Sequence, residues 1–151
     1  MDKVKIVCRG LIIDDQNRVL FVRKANSDFL SLPGGKLEAD DASLQTCLVR
    51  ELQEELGVEA TIKDIRFVQE LHKDGTRYVE LIWQASVMAD PVHIQGDIYK
   101  TTHGELADIQ WIKKDDLHNA NVKPEFLKAL NRTELTIDTI PVYHFTGINL
   151  S

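Results

Sequence analysis

Residues 34–58 read GGKLEADDASLQTCLVRELQEELGV, and this stretch determines most of what can be predicted about the chain. Two glycines and an acidic loop precede a run that contains no glycine or proline, so helix propensity is favourable throughout that run. Ser43 is a suitable N-cap residue, and Gly57 suits the left-handed position that ends many helices. We therefore predict a single helix between Ser43 and Gly57, introduced by a glycine-containing loop.

The predicted helix has an apolar stripe bordered by three carboxylates. The stripe consists of Leu48, Val49, Leu52 and Leu56. Glu51 lies three residues before Glu54 and four before Glu55, so the three side chains can converge on one side of the helix. Like charges at this spacing destabilise a helix by roughly 0.2–0.5 kcal/mol per pair, and Arg50 neutralises only part of the repulsion. A bound cation would relieve the rest.

Clustered carboxylates and a loop carbonyl are hard oxygen ligands, which suit Mg²⁺ or Mn²⁺ better than zinc. Magnesium also leaves coordination positions for substrate phosphate. The pattern therefore indicates metal-assisted attack of water on a phosphate ester or anhydride. The alternative is an ordinary solvated helix face, because glutamate is a strong helix former. The glycine pair before the helix and the arginine before the first glutamate favour the catalytic interpretation.

The stretch resembles the Nudix box, whose pattern is G-x5-E-x7-R-E-U-x-E-E-x-G-U, with U a bulky aliphatic residue. The matching positions are Gly35, Arg50, Glu51, Leu52, Glu54, Glu55, Gly57 and Val58. The middle of the box departs from the pattern. Asp41 stands where the family has glutamate, and eight residues instead of seven separate it from Arg50. The simplest explanation is one extra loop residue, with Asp41 or Asp40 taking the role of the glutamate.

The resemblance implies an α/β fold, a Nudix-like α/β/α sandwich with a central mixed sheet. It implies that Glu51, Glu54 and Glu55 bind metal directly or through water, with the Gly34 carbonyl as a loop ligand. Arg50 is expected to orient the glutamates. Family members hydrolyse a nucleoside diphosphate linked to another group, with Mg²⁺ as the expected cofactor and Mn²⁺ as a possible substitute.

Further site residues are expected outside the box. The resemblance points to an acidic residue shortly before an aromatic one as a further metal ligand or general base. Glu105 matches this position best, and Asp108 is the alternative. Glu51 is a second candidate for the base. Arg23 and Lys36 are expected to contribute positive charge to substrate binding.

The totals are those of an ordinary globular protein. The 151 residues, 43% of them hydrophobic, predict a single domain over residues 1–151. A net charge of −6 argues against a nonspecific nucleic-acid binder. Cys8 and Cys47 fall in neither a C-x-x-C motif nor a zinc-site spacing, which favours two reduced thiols in a cytoplasmic protein. The sequence contains no apolar run long enough to span a membrane, so no membrane partner is expected.

Outside the box the sequence predicts mainly strands. Residues 4–13 and 18–24 are expected to form a hairpin around the turn DDQN. Asp74-Gly75 is a strong signal for a second hairpin. A strand is predicted from Ala107 to Ile112. A strand in the C-terminal tail is expected at a sheet edge because of Pro141.

These observations predict a Mg²⁺-dependent pyrophosphohydrolase acting on an ADP-ribose-like dinucleotide or a nucleoside triphosphate. The expected partner is therefore a small nucleotide substrate, and a homodimer is left open. The irregular stretch 89–104 is expected to carry substrate specificity. The alternative function is a catalytically inactive nucleotide-binding or sensing module of the same fold.

Overall fold

The computed structural model describes residues 3–91, 106–129 and 142–149, the last of these as backbone only. The described elements, in chain order, are β1 (Lys3–Ile12), β2 (Arg18–Lys24), β3 (Gly34–Lys36), α1 (Leu44–Leu56), β4 (Ala60–Lys73), β5 (Thr76–Val87), β6 (Leu106–Lys113), two 3₁₀ helices (Lys114–Asn119 and Glu125–Ala129) and β7 (Val142–Asn149). The strand predicted within β6 is confirmed.

The strands form a mixed five-stranded sheet in the order β3-β1-β5-β4-β7 and a separate pair, β2-β6. In the large sheet β1 runs parallel to β5, and β4 runs parallel to β7, whereas the other pairs are antiparallel. β7 lies at one edge, as Pro141 predicted for the C-terminal strand. β3 lies at the opposite edge and carries the glycine pair.

β4 and β5 form the hairpin that Asp74-Gly75 predicted. Asp74 has φ 51° and Gly75 has φ 77°. Positive φ at both central residues is the requirement of a type I′ turn, whose twist matches the strands on either side. The hairpin contributes the central strand of the large sheet, β5, and β4 beside it.

The predicted hairpin between β1 and β2 is wrong. A tight turn does form: the Asp14 N–H donates to the Arg18 carbonyl at 3.0 Å, and one bridge joins Ile13 to Val19. Beyond this bridge the strands separate into different sheets, where β1 pairs with β5 and β2 pairs with β6. β2 is buried on both faces, so it fills the interior instead of extending the sheet at β1.

Helix α1 packs through its buried side chains against one side of the sheet structure. The buried helix residues are Cys47, Leu48, Leu52 and Leu56, and they contact Cys8, Ile12, Trp83 and neighbouring apolar residues. Val49, predicted in the apolar stripe, is instead 38% exposed. Cys47 fills the inner position because the helix turns that edge toward Cys8, and both cysteines are free, buried thiols as expected.

A second cluster lies on the other side of the strands. It joins Leu11, Phe21 and Ile82 to Leu117 and Leu127 of the two 3₁₀ helices. The strands are therefore covered by α1 on one side and by short helices on the other, which gives the predicted three layers. Within the described ranges, no helix is long and apolar enough to cross a membrane.

Candidate active site

The two ends of α1 are fixed by local hydrogen bonds. The Thr46 N–H donates to Ser43 Oγ at 3.1 Å, and the Ser43 N–H donates to Thr46 Oγ1 at 2.8 Å, so the two residues form a capping box. At the other end Gly57 has φ 70°, and its N–H donates to the Gln53 carbonyl at 2.9 Å. Both caps predicted from the sequence are confirmed, and they fix which residues fall on the exposed turn of the helix.

The glycine pair lies in close contact with its neighbours. Gly34 has φ 146°, and a Cβ there would overlap the Cys8 carbonyl and the Arg9 Cα of β1. A Cβ at Gly35 would overlap the Glu51 carboxylate, with Glu51 Oε1 at 2.6 Å. Glycine at the first position lets β3 approach β1, and glycine at the second leaves room for a carboxylate. The loop and the helix are thereby joined at Glu51.

Arg50 connects the loop and the helix carboxylates. Its Nε and Nη2 donate to Asp41 Oδ1 and Oδ2 at 2.8 and 2.9 Å. Its Nη1 donates to Glu51 Oε1 at 3.0 Å and to Glu54 Oε2 at 3.1 Å. Nη2 also donates to the Lys36 carbonyl at 3.3 Å. A planar guanidinium is suited to such forked contacts, and here it holds two glutamates and the preceding loop in one arrangement.

Asp41, and not Asp40, meets Arg50. The Asp41 side chain is 5% exposed and also accepts a 2.8 Å hydrogen bond from the Glu38 N–H, whereas Asp40 is exposed. The hydrogen bonds from Arg50 and from the loop backbone hold the pKa of Asp41 well below its usual range. Aspartate is one methylene shorter than glutamate, and in this loop its side chain still reaches the arginine.

Two of the helix glutamates are partly withdrawn from solvent. Burial raises the pKa of Glu55 to about 7, although Arg9, Lys24 and a 3.3 Å hydrogen bond from the Gly34 N–H act in the opposite direction. Burial also raises the pKa of Glu51, against the opposing effect of Arg50. A solvated helix face would not produce these shifts, because burial penalises a carboxylate only where water is excluded.

The donor chemistry of this cluster fits a hard divalent cation. Glu51, Glu54 and Glu55 supply carboxylate oxygens beside the Gly34 backbone, which is the kind of ligand set that Mg²⁺ and Mn²⁺ take. In the described part of the chain, no three acidic, histidine or cysteine side chains already converge as a complete metal site. Arg50 spans Glu51 and Glu54 instead, and the Glu54 side chain is 44% exposed, so its carboxylate has room to turn toward an ion if it gives up the 3.1 Å contact with Arg50.

Two basic residues, Arg23 and Lys36, were expected near the cluster, and a further one, Lys24, acts on Glu55. Arg23 Nη1 donates to the Ser27 carbonyl at 3.2 Å, and Lys36 is exposed at the end of β3. The charge of Lys24, the residue after Arg23, favours ionised Glu55, as does that of Arg9. The sequence missed Lys24 because neighbouring strand residues point to opposite faces, and the register alone decides which one turns toward the helix. The roles of Arg23 and Lys36 stay predictions.

The residues expected near β6 are only partly described. Glu105 lies outside the described residues, and its catalytic role stays a prediction. Asp108, the alternative, pairs with Arg23 in the β2–β6 register. Its Oδ1 accepts from the Ile109 N–H at 3.0 Å and its Oδ2 from Gln110 Nε2 at 2.9 Å, so it is engaged within its own strand.

Comparison with known proteins identifies the family. The family model described as NUDIX domain matches residues 5–132. The chain belongs to the Nudix family. Its family and fold class are therefore confirmed, and the helix with the Arg50 cluster is its Nudix box.

Individual relatives agree with this assignment. The Nudix chain is 39% identical over 66 residues to an 8-oxo-dGTP diphosphatase from Proteus vulgaris, a match that covers 40% of this chain and 58% of that protein. Its fold is similar to a MutT protein from Methanosarcina mazei, with a TM-score of 0.69, 21% identity and coverage of 87% and 93% of the two chains. An ADP-ribose pyrophosphatase from Streptococcus suis gives a TM-score of 0.66 at 18% identity, covering 92% and 98%.

The similarity to the curated relatives is partial in length. The matches to three curated relatives cover between 34% and 63% of the length of each relative. The matches establish a Nudix hydrolase family and a shared fold. The substrate of this chain is therefore argued from its own residues.

Proposed function

We propose that this Nudix protein is a divalent-metal-dependent pyrophosphohydrolase that cleaves a nucleoside diphosphate linked to another group. The observation that carries the proposal is the cluster in which Arg50 holds Glu51 and Glu54 while the Glu51 carboxylate packs on Gly35. Such a cluster of half-buried carboxylates is costly to maintain unless a cation or a proton shares it. Arg50 divides its single positive charge among Asp41, Glu51 and Glu54, so a further cation would stabilise the cluster.

Mg²⁺ is the cofactor we propose, with Mn²⁺ able to replace it. Glu51, Glu54, Glu55 and the Gly34 carbonyl would hold the ion. When bound, the ion would supply positive charge to the phosphate oxygens and lower the pKa of water near the scissile bond. The raised pKa of Glu55 supports this assignment, because a carboxylate in a dehydrated setting gains most from a neighbouring cation.

The protein residues have separate proposed roles. Glu51 is the candidate to accept a proton from the attacking water, since its pKa is raised toward neutrality. Glu105 is the alternative base. Arg50 orients Glu51 and Glu54. Arg23 and Lys36 would add positive charge for the substrate phosphates, and Lys24 joins them because its charge already acts on Glu55.

Two substrate classes fit this chemistry. A nucleoside triphosphate and an ADP-ribose-like dinucleotide both contain a pyrophosphate bond with charged oxygens on each side. The relative from Proteus vulgaris is an 8-oxo-dGTP diphosphatase, and the structure from Streptococcus suis is an ADP-ribose pyrophosphatase. These names support a nucleotide substrate for this chain without choosing between the classes.

The alternative of an inactive nucleotide-binding module rested on the extra residue in the loop. The contacts between Asp41 and Arg50 remove the main reason for it, because the arginine is held at 2.8 and 2.9 Å despite the longer loop. Glu51, Glu54 and Glu55 are also all present. We therefore favour the enzyme.

The test is hydrolysis of ADP-ribose, a dinucleotide and the nucleoside triphosphates, with Mg²⁺ and with a chelator. Glu54→Gln should lower kcat by at least about tenfold, because it removes a charged ligand while keeping the side-chain shape. Glu59→Gln, at an exposed position just beyond the helix, is the matched control and should keep wild-type activity. Equal hydrolysis by Glu54→Gln and wild type, or full activity in the chelator, would refute the proposal.

A further inference from the structure

A buried polar network lies on the sheet face opposite α1. Cys8 and Ile12 of β1 face the helix, so the alternation of side chains turns Arg9 to the other face. There Arg9 Nε donates to Glu80 Oε1 at 3.1 Å, and Gln69 Nε2 donates to Glu80 Oε2 at 2.6 Å. The Arg9 and Glu80 side chains are only 15% and 9% exposed, so this ion pair is largely removed from water.

The same arginine reaches the loop that leads into the glycine pair. Arg9 Nη1 donates to the Leu32 carbonyl at 2.9 Å. The next loop carbonyl, that of Pro33, accepts from the Gly10 N–H at 2.9 Å. Gly34 then pairs with Arg9 in the antiparallel register of β1 and β3. Leu32, Pro33 and Gly34 are thus each held by Arg9 or Gly10. The contact from the Arg9 side chain is the one to Leu32, the first of the three.

This attachment is transmitted to the helix carboxylates. The Gly34 N–H donates to Glu55 Oε1 at 3.3 Å, and Glu51 packs directly on Gly35. A shift of the loop away from β1 therefore moves both the Gly34 carbonyl and the surface against which Glu51 rests. Arg9 itself hydrogen-bonds to Glu80 and Leu32 and to neither glutamate of the helix.

We propose that Arg9, anchored by Glu80 and Gln69, is a positioning residue that fixes where Gly34 and Gly35 of β3 lie relative to Glu51 and Glu55. This inference rests on the proposed function, since it deepens the account of the same site. Arg9 acts through the position of the loop, in addition to the effect of its charge on the pKa of Glu55, and not by contact with substrate. Glu80 binds Nε of the Arg9 guanidinium, and because the guanidinium is planar and rigid, this contact fixes the direction in which Nη1 points toward the Leu32 carbonyl. Outer contacts of this kind alter metal affinity or activity by about 10–100-fold when removed.

Four variants separate positioning from general stability. Arg9→Met removes the contact to Leu32, and Arg9→Lys keeps the charge but not the forked geometry. Arg9→Met/Glu80→Met replaces the buried ion pair by apolar side chains, which is often neutral or stabilising, at the cost of the hydrogen bond from Gln69 to Glu80. Arg18→Met is the control. It breaks a comparable partly buried ion pair, Arg18 Nη2 to Asp14 Oδ2 at 2.7 Å. Arg18 lies at the start of β2, six residues or roughly 20 Å from Lys24 at the end of the strand that faces the site.

Three quantities are measured for each variant: the melting temperature, Mn²⁺ affinity by electron paramagnetic resonance, and kcat and KM with saturating Mg²⁺. Arg9→Met should lower kcat and Mn²⁺ affinity by about tenfold or more, with KM changed less than about threefold. Arg9→Lys should recover part of the loss. The Arg9→Met/Glu80→Met variant should regain melting temperature but not kcat, and Arg18→Met should lose melting temperature while keeping kcat.

The outcomes against the inference are equally specific. If kcat returns together with the melting temperature in Arg9→Met/Glu80→Met, the role of Arg9 is only structural. If KM rises while kcat is kept, Arg9 contacts the substrate. If the wild-type protein hydrolyses nothing, the proposed function fails, and Mn²⁺ affinity alone decides the inference: equal affinity in wild type and Arg9→Met overturns it, and a tenfold loss supports it.

Discussion

Replacing Gly35 by alanine should inactivate the protein while leaving it folded. The added Cβ would lie 2.6 Å from Glu51 Oε1 and closer still to Oε2 and the carboxyl carbon, whereas ordinary contact begins at 3.4 Å, so the carboxylate must retreat by about 1 Å. A displacement of about 1 Å in a catalytic group can cost roughly 100-fold in rate. The obstacle is the end of a flexible side chain, so the free energy of unfolding should fall by less than about 1 kcal/mol.

Two other glycines make this prediction selective. Gly75→Ala is the control: its φ of 77° strains an alanine by roughly 1–2 kcal/mol, but the added Cβ meets nothing within 4 Å, so activity should be kept. Gly34→Ala would meet the backbone of β1 and should destabilise far more than either.

The assay for the glycine series combines urea denaturation with kcat at saturating Mg²⁺ and Mn²⁺ affinity. The expected result is a large loss of kcat and Mn²⁺ affinity in Gly35→Ala with a smaller loss of stability than in Gly75→Ala. If Gly35→Ala keeps wild-type kcat, the packing of Glu51 on this glycine has no catalytic meaning. If activity falls in proportion to stability in both variants, the loss is a folding effect.

Three further predictions follow from single contacts in the site. Asp41→Asn should reduce kcat about tenfold or more because it weakens the contact with Arg50, whereas Asp40→Asn should not. Deletion of residue 40 combined with Asp41→Glu should keep activity close to that of the wild type. A loss of activity in that variant would contradict the compensation between loop length and side-chain length. Ser43→Ala should lower the free energy of unfolding by about 1 kcal/mol in urea denaturation with kcat per folded molecule unchanged, and a change of kcat would show that the cap does more than hold the helix. The pKa of Glu55 in the folded protein, about 7, lies above its ordinary 4.5, so the stability that its protonated form contributes is full below pH 4.5 and is lost as pH rises through 7. The melting temperature measured in chelator should therefore fall between pH 4.5 and 7 in the wild type and change less with pH in Glu55→Gln. Equal slopes of melting temperature against pH in the two proteins would contradict the burial of Glu55.

Local signals in the sequence predicted the helix and its ends correctly. Ser43 and Gly57 act through hydrogen bonds to residues three or four positions away, so their neighbours alone determine them. The turn at Asp74-Gly75 is equally local, since positive φ is a property of the residues themselves. The Nudix box could be recognised because its glutamates share a single turn of helix.

Pairings between distant residues could not be predicted in this way. β1 and β2 have a good turn between them, but β1 pairs with β5, some 70 residues later, and this partner leaves no mark on the local pattern. The error over Val49 has the same origin, because the sheet under the helix decides which edge of the apolar stripe is covered. The contact of Arg9 with Glu80 also joins residues 71 positions apart.

Within the site, the sequence indicated which types of residue take part better than it indicated which of two neighbouring residues makes a given contact. It left Asp40 and Asp41 as alternatives because both are acidic and adjacent, and only the path of the loop brings Asp41 to Arg50. It named Arg23 for substrate binding and did not consider Lys24, and an irregularity in the β2–β6 register lies between these two residues. Such choices depend on one residue of register, which composition does not encode.

The most direct test of the central claim is anomalous diffraction from crystals soaked in Mn²⁺ with a nonhydrolysable nucleotide. The account predicts a Mn²⁺ peak bound by oxygens of the Glu51, Glu54 and Glu55 cluster at about 2.0–2.3 Å, beside the Gly34 carbonyl and the substrate phosphates. A map with no peak there, and with Arg50 still bonded to Glu51 and Glu54, would contradict it.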